Sequence, residues 1–259
     1  MKKKIYYLLL ILLLSLKGIS QNSMIIEYSV SMNTMERKGI LFYSTKENCF
    51  YTEKYKSNLN TDNKTSIEEQ NSSNIKVYSK IDINKEYIQE YLKNEIINNY
   101  DFVGNKKVQY QDTCSLLKWI IKNETKFIDK YKCTKAVCNF RGRNYIAWFS
   151  TEIPVTVGPW KFHGLPGLIF QISDESGLFV WNLEKIKSVP TLPKLVVEKN
   201  IEKVSFRNLV IKQTEDNQRE QQEKMDLIMS KLSLKLGNIK TKQAVFQRGR
   251  ELIYDWERK

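Results

Sequence analysis

Histidine occurs once in this 259-residue chain, as His163, and cysteine four times, as Cys49, Cys114, Cys133 and Cys138. A lone histidine falls short of the two or three usual at a catalytic zinc site, and no Cys-x-x-Cys or His-Glu-x-x-His spacing supplies a redox or zinc signature. No Gly-x-Ser-x-Gly elbow places a serine for His163 to activate. Nothing here calls for a metal or other cofactor. Beyond Leu16 no apolar run approaches the roughly 20 residues that cross a bilayer. Lysines are numerous but scattered, and no nucleic-acid-binding motif accompanies them, so nucleic acid is not an expected partner.

Proline and glycine are also scarce, at 5 and 10 residues, which makes their clustering informative. Pro154, Pro159 and Pro166 fall beside Gly158, Gly164 and Gly167. Proline fixes φ and glycine permits positive φ, so the stretch predicts a loop of specified shape between two strands.

The N-terminus has the three parts of a secretory signal. Lys2–Lys4 is basic, Ile5–Leu16 is apolar, and Gly18 and Ser20 stand at the −3 and −1 places of a cut before Gln21. No cysteine follows the cut, so a lipid anchor is not expected. Removing residues 1–20 leaves 38 Lys and Arg against 29 Asp and Glu, a net +9. Such a charge on an exported protein suits acidic neighbours, such as phosphate-bearing lipids or anionic polymers, or else a solvated basic surface. The expected location is the periplasm, the outer membrane's surface or the medium, with no membrane span after cleavage.

Period-two alternation dominates the rest. Ile26, Tyr28, Val30 and Met32 alternate with polar residues, Phe179, Trp181 and Leu183 alternate with Val180, Asn182 and Glu184, and Leu168, Phe170 and Ile172 share one face. Val204, Phe206 and Asn208 follow the same pattern less cleanly. Further strands are expected at 39–44, 48–55, 75–82, 107–111, 117–122, 126–138 and 143–149. Residues 84–98 suit a helix or a hairpin, with strands preferred. Residues 57–74 read as a long polar loop. Met225, Ile228, Met229, Leu232 and Leu236 have helical spacing, with Thr214 as N-cap and Gly237 past the end. A short helix or strand is expected in 242–256. If 126–138 is extended, Cys133 and Cys138 lie ~16 Å apart at ~3.3 Å per residue, too far for one bridge. An oxidising compartment permits disulfides, which leaves Cys49 and Cys114 to pair with them, or some thiols free.

Residues 164–169 read Gly-Leu-Pro-Gly-Leu-Ile. Around them stand Tyr131–Ala136, Phe140–Arg143, Ala147–Phe149, Glu152–Pro154 and Gly158–Phe162, and the whole resembles the GLPGLI family of Bacteroidetes envelope proteins over about residues 116–186. The resemblance implies an exported protein without an agreed activity. The chain departs from it at Cys138, so the family's disulfide pattern is not carried over.

The architecture expected is α+β and mainly β. A curved antiparallel half-barrel similar to periplasmic lipoprotein carriers would fill 21–212, and 213–259 would be a helical segment packed on it. Gly164, Leu165, Pro166, Gly167, Leu168 and Ile169 should form a buried structural turn. Arg141, Arg143, Trp148, Trp160, Phe162 and His163 are the candidate ligand contacts, because aromatic faces beside guanidinium groups hold apolar or sugar ligands and pair with phosphate. In the competing structural reading, Trp148 and Trp160 fill the core and Arg143 pairs with Glu152. Glu152, Asp174 and Glu175 flank the block without forming a recognisable acid pair, and a Cys133–His163 dyad would need the two side chains to meet. The leading functional expectation is a non-enzymatic binder of an apolar or acidic envelope component (a lipid, a polysaccharide or an outer-membrane protein). The alternatives are a hydrolase of peptides or surface polymers and a structural accessory of an outer-membrane complex.

Overall fold

The computed structural model describes residues 23–33, 35–55, 67–71, 74–77, 85–92, 96–113, 117–236 and 249–257. The signal segment, Cys114 and Gly237 therefore lie outside the described residues. Fourteen strands are described. They are β1 (Ser23–Met32), β2 (Met35–Ser44), β3 (Phe50–Tyr55), β4 (Ile67–Asn71), β5 (Asn74–Val77), β6 (Glu86–Tyr91), β7 (Ile96–Val103), β8 (Lys106–Thr113), β9 (Ile120–Ile128), β10 (Tyr131–Phe140), β11 (Arg143–Ser150), β12 (Leu168–Asp174), β13 (Phe179–Val189) and β14 (Glu202–Lys203). Twelve of them form one open, curved sheet in the order β14-β8-β7-β6-β3-β2-β1-β13-β12-β11-β10-β9. Neighbours are antiparallel except β14 and β8, and β4 and β5 form a separate hairpin. One long helix, α1 (Phe206–Leu236), packs on β7 and β8. The fold is α+β and mainly β, as the alternation predicts.

The alternating residues build the inner face. Ile26, Tyr28 and Val30 are fully buried on β1, and they meet Trp181 of β13, Tyr145 and Ala147 of β11 and Leu168, Phe170 and Ile172 of β12. A smaller apolar cluster joins Val108 and Tyr110 of β8 to Leu209 of α1. The ambiguous 84–98 region resolves into β6 and the start of β7, paired Ile88 to Tyr100.

Several expectations are corrected. The 126–138 strand is two strands, because Asp129 (φ 52°) and Lys130 turn the chain between β9 and β10. A bulge between Thr134 and Ala136 restores parity, so Cys133, Ala136, Cys138 and Phe140 all face the core. Part of the expected polar loop is strand β4. The alternation at 204–208 is not a strand. Ser205 caps a helix there, its Oγ accepting from Asn208 N–H at 3.2 Å while its carbonyl accepts the first helical bond from Leu209. Thr214 sits inside the helix, donating to Val210 O at 2.7 Å. The 249–257 segment is irregular except for a short 3-10 helix at Asp255–Glu257. Among the described residues no helix is long and apolar enough to cross a membrane.

Candidate functional site

The proline–glycine block lies between β11 and β12 and closes on itself through backbone bonds. Gly158 N–H donates to Phe162 O at 2.7 Å, Gly164 N–H to Thr156 O at 2.8 Å, and Leu168 N–H to Ile153 O at 2.9 Å. Trp119 Nε1 donates to His163 O at 2.8 Å, and Tyr91 donates its hydroxyl to Gly158 O at 3.1 Å. Leu165, Leu168 and Ile169 are buried to within 2%. The hexapeptide is thus a packed turn whose glycines serve different ends. Gly164 has φ 89°, whereas Gly167 does not have a positive φ. A Cβ on Gly167 would instead strike Ser150 backbone. What calls for glycine at 167 is therefore a close approach of two chain segments.

This loop delivers Trp160, Lys161 and Phe162 to the interior. Trp160 stacks on Trp181 with centroids 5.9 Å apart, and Phe162 meets Tyr145 edge-on at 4.8 Å. Lys161, 1% exposed, is the only way this loop puts a charge inside, and that charge is matched. Its Nζ lies 2.6 Å from Asp112 Oδ2 and 2.8 Å from Glu251 Oε1. Arg141 and Gly142 form the tight β10–β11 turn, both with positive φ (46° and 83°). From there Arg141 bonds Asp112 with both terminal nitrogens, at 2.9 and 2.7 Å, and pairs with Glu251 and, at 3.0 Å, with Asp255. Burial pushes the Asp112 carboxyl up, but Lys161 and Arg141 together outweigh it and hold it well below the usual carboxylate range.

The 249–257 segment docks over this cluster. Arg143 and Tyr145 donate to Gly249 O and Arg250 O at 2.8 and 2.7 Å, and Leu252 and Ile253 N–H both donate to Arg141 O at 2.9 Å. Arg250 reaches Glu53 on β3, with its guanidinium 4.9 Å from the Trp181 ring and 5.3 Å from that of Trp160. Arg37 pairs with the same Glu53 at 3.0 Å. Burial raises Glu53, and Arg250 and Arg37 more than reverse it, so its pKa is lowered.

Between the sheet, α1 and this segment lies a pocket of about 310 Å³. Five aromatics (Tyr87, Tyr110, Trp160, Phe206 and Tyr254) line it beside Arg37, Asp101, Lys161, Arg250 and Glu251. Gln213 of α1 donates to Asp101 Oδ2 at 3.1 Å across one corner.

The sequence-predicted residues divide. Trp160 lines the pocket, Phe162 and Arg141 support it from within, and Arg143 anchors the docked segment. Arg143 pairs with Asp174 at 2.9 Å, while Glu152 accepts from Lys132 N–H, so the expected Arg143–Glu152 pair gives way to a buried carboxylate on the adjacent strand. Trp148 stands apart, half-buried under Lys126 Nζ at 4.3 Å. His163 Nδ1 lies 2.9 Å from Lys161 O and Cys133 Sγ 3.7 Å from Tyr131 O, so neither is the other's partner. Cys49, Cys133 and Cys138 are buried free thiols. Among the described residues no group of three or more His, Cys, Asp or Glu could hold a metal ion.

The family described as "Protein of unknown function (Porph_ging)" matches residues 141–171, from the Arg141 turn through the hexapeptide. No match was found among curated proteins. Among solved structures the chain is similar to PNGF-II in its P21 crystal form, with a TM-score of 0.50 and 16% identity over 74% of this chain. It spans 33% of that protein's length. The C2 form gives 0.49 and 17%, over 73% of this chain and 32% of that one. An uncharacterized conserved protein from Thermus thermophilus gives a TM-score of 0.40 at 9% identity, over 72% of this chain and 91% of that one. The likeness to the P21 form of PNGF-II concerns the fold, and the match at 141–171 associates the motif block with a family of unknown function.

Proposed function

We propose that this chain is an exported, non-enzymatic binding protein that holds a small molecule between its curved sheet and α1. The observation that carries the reading is the pocket of about 310 Å³ with five aromatic side chains in its wall. That volume lies at the lower end of the ~300–1,000 Å³ typical of ligand pockets, and its wall sets the five aromatics among charged and amide side chains that can orient a ligand. Arg37, Lys161, Arg250 and Glu251 around it are engaged in ion pairs, which suits a rigid binding wall better than a group held ready to attack a substrate. Export is supported by the basic start and apolar run of residues 2–16.

Native mass spectrometry of the protein purified from its own cell envelope tests the reading. The expected spectrum carries an added mass that denaturation releases and that Thr214→Trp, which fills the mouth of the pocket from α1, removes. Bare protein mass in the unsubstituted chain sinks it.

A further inference from the structure

Residues 249–257 form part of the pocket wall yet belong to no strand of the sheet. Gly249, Arg250, Glu251 and Tyr254 line the cavity. The segment's regular structure is one short 3-10 helix, and its two aliphatic side chains, Leu252 and Ile253, stay 36% and 43% exposed. Tyr254 and Trp256 stack on each other and meet Phe206 edge-on at 5.6 and 5.3 Å, at the start of α1. The ties to the sheet are mainly polar. They are the hydrogen bonds to Arg141, Arg143 and Tyr145 and the charges of Arg250, Glu251 and Asp255.

Each of those charges meets a group that already has a partner elsewhere in the body. Glu53 takes Arg250, but it also holds Arg37 at 3.0 Å and the Tyr51 hydroxyl at 2.9 Å. Lys161 takes Glu251 at 2.8 Å, and Asp112 at 2.6 Å. Arg141 pairs with Glu251 and Asp255, yet grips Asp112 with both terminal nitrogens. Lifting the segment therefore strands no buried charge. Arg37 stays with Glu53, Arg141 and Lys161 stay with Asp112, and the segment's own three charges pass to water. An abandoned buried charge is the usual obstacle to such a release, and this arrangement avoids it.

We propose that residues 249–257 are a releasable strap, which undocks as a unit while the sheet stays folded and so opens the pocket to its ligand. The inference rests on the pocket being a ligand site and adds how that site is entered. Few buried apolar contacts and polar ties to one face are the marks of a segment that opens well below the cost of global unfolding.

The test is native-state hydrogen exchange on the full chain, together with thiol labelling of Val210→Cys, a buried position in the pocket wall. Leu252 and Ile253 N–H both donate to Arg141 O, so their exchange reports docking. They should exchange at least about tenfold faster than the slowest amides of β1 and β12, and without the urea dependence that those core amides show. Maleimide labelling of the Val210→Cys thiol, located by peptide mass mapping, should give the same opening constant. Arg250→Met should raise both opening constants about tenfold, and Glu251→Gln should act in the same direction, with folding of each variant checked by circular dichroism. Strap amides that exchange at the core rate, or with the core's urea dependence, overturn the release. Labelling left unchanged by both variants overturns the gate. Neither readout uses a ligand, so these failures sink the strap alone, whereas an empty native mass spectrum sinks the pocket reading.

Discussion

A Cβ placed on Gly167 would stand 2.1 Å from the carbonyl oxygen of Ser150. Ser150 ends β11 and Gly167 lies within the hexapeptide, next to Leu168, with which Ser150 pairs. No rotamer relieves a backbone contact. Gly167→Ala should therefore lower stability by more than about 2 kcal/mol, outweighing the ~0.4–1 kcal/mol that a less flexible unfolded chain would return. Thermal melting checks this, and an unchanged midpoint would mean that the two segments separate freely.

Leu168→Ala removes a fully buried side chain beside that contact and should cost about 2–5 kcal/mol. His163→Ala should cost about 1 kcal/mol or less, since its half-buried ring keeps a single bond to Lys161 O. Chemical denaturation of the two variants should rank them in that order. A more damaging His163 substitution would contradict the packed-turn account of the hexapeptide.

Arg141→Met should cost about 3–5 kcal/mol, because it leaves Asp112 and Glu251 with Lys161 as their one remaining buried cation. Adding Asp112→Leu to it should recover part of the loss. Denaturant midpoints for the single and double variants measure the difference. A double variant weaker by the sum of the two singles would show that the pair does not act as a unit.

Acid should unfold the protein through the same groups. Asp112 and Glu53 have native pKa values below their unfolded values of about 3.9 and 4.3. Their contribution is thus fully present above those unfolded values and lost as pH falls through the native ones. Asp101 works the other way, since burial raises it, and its ionisation costs stability above the unfolded value. With two lowered carboxylates against one raised, stability should fall as pH drops below about 4. A Tm that stays level from about pH 5 to about pH 2.5 would contradict this.

The strands were legible because inward residues alternate regardless of their neighbours in space, as Ile26, Tyr28 and Val30 do. The helix start was not, because Val204, Phe206 and Asn208 alternate by accident, and Ser205 caps only if the chain turns there. The hexapeptide marked a packed turn, but Gly167's role depends on Ser150, which sequence alone does not bring near. Most of the pocket was hidden for a similar reason. Trp160 was named, while Arg37, Asp101, Lys161, Arg250 and Glu251 come from separate stretches of the chain. One signal was present. Glu53 and Asp112 occupy inward positions of β3 and β8, where a charge requires a buried partner, and scattered lysines and arginines gave no hint which one.

The most direct measurement is a crystal structure of the protein purified from its own envelope, with the region between Trp160 and Phe206 inspected for electron density. The account predicts a small molecule there, seated against Trp160 and Phe206. A pocket holding only water, or a ligand seated elsewhere on the sheet, would contradict it.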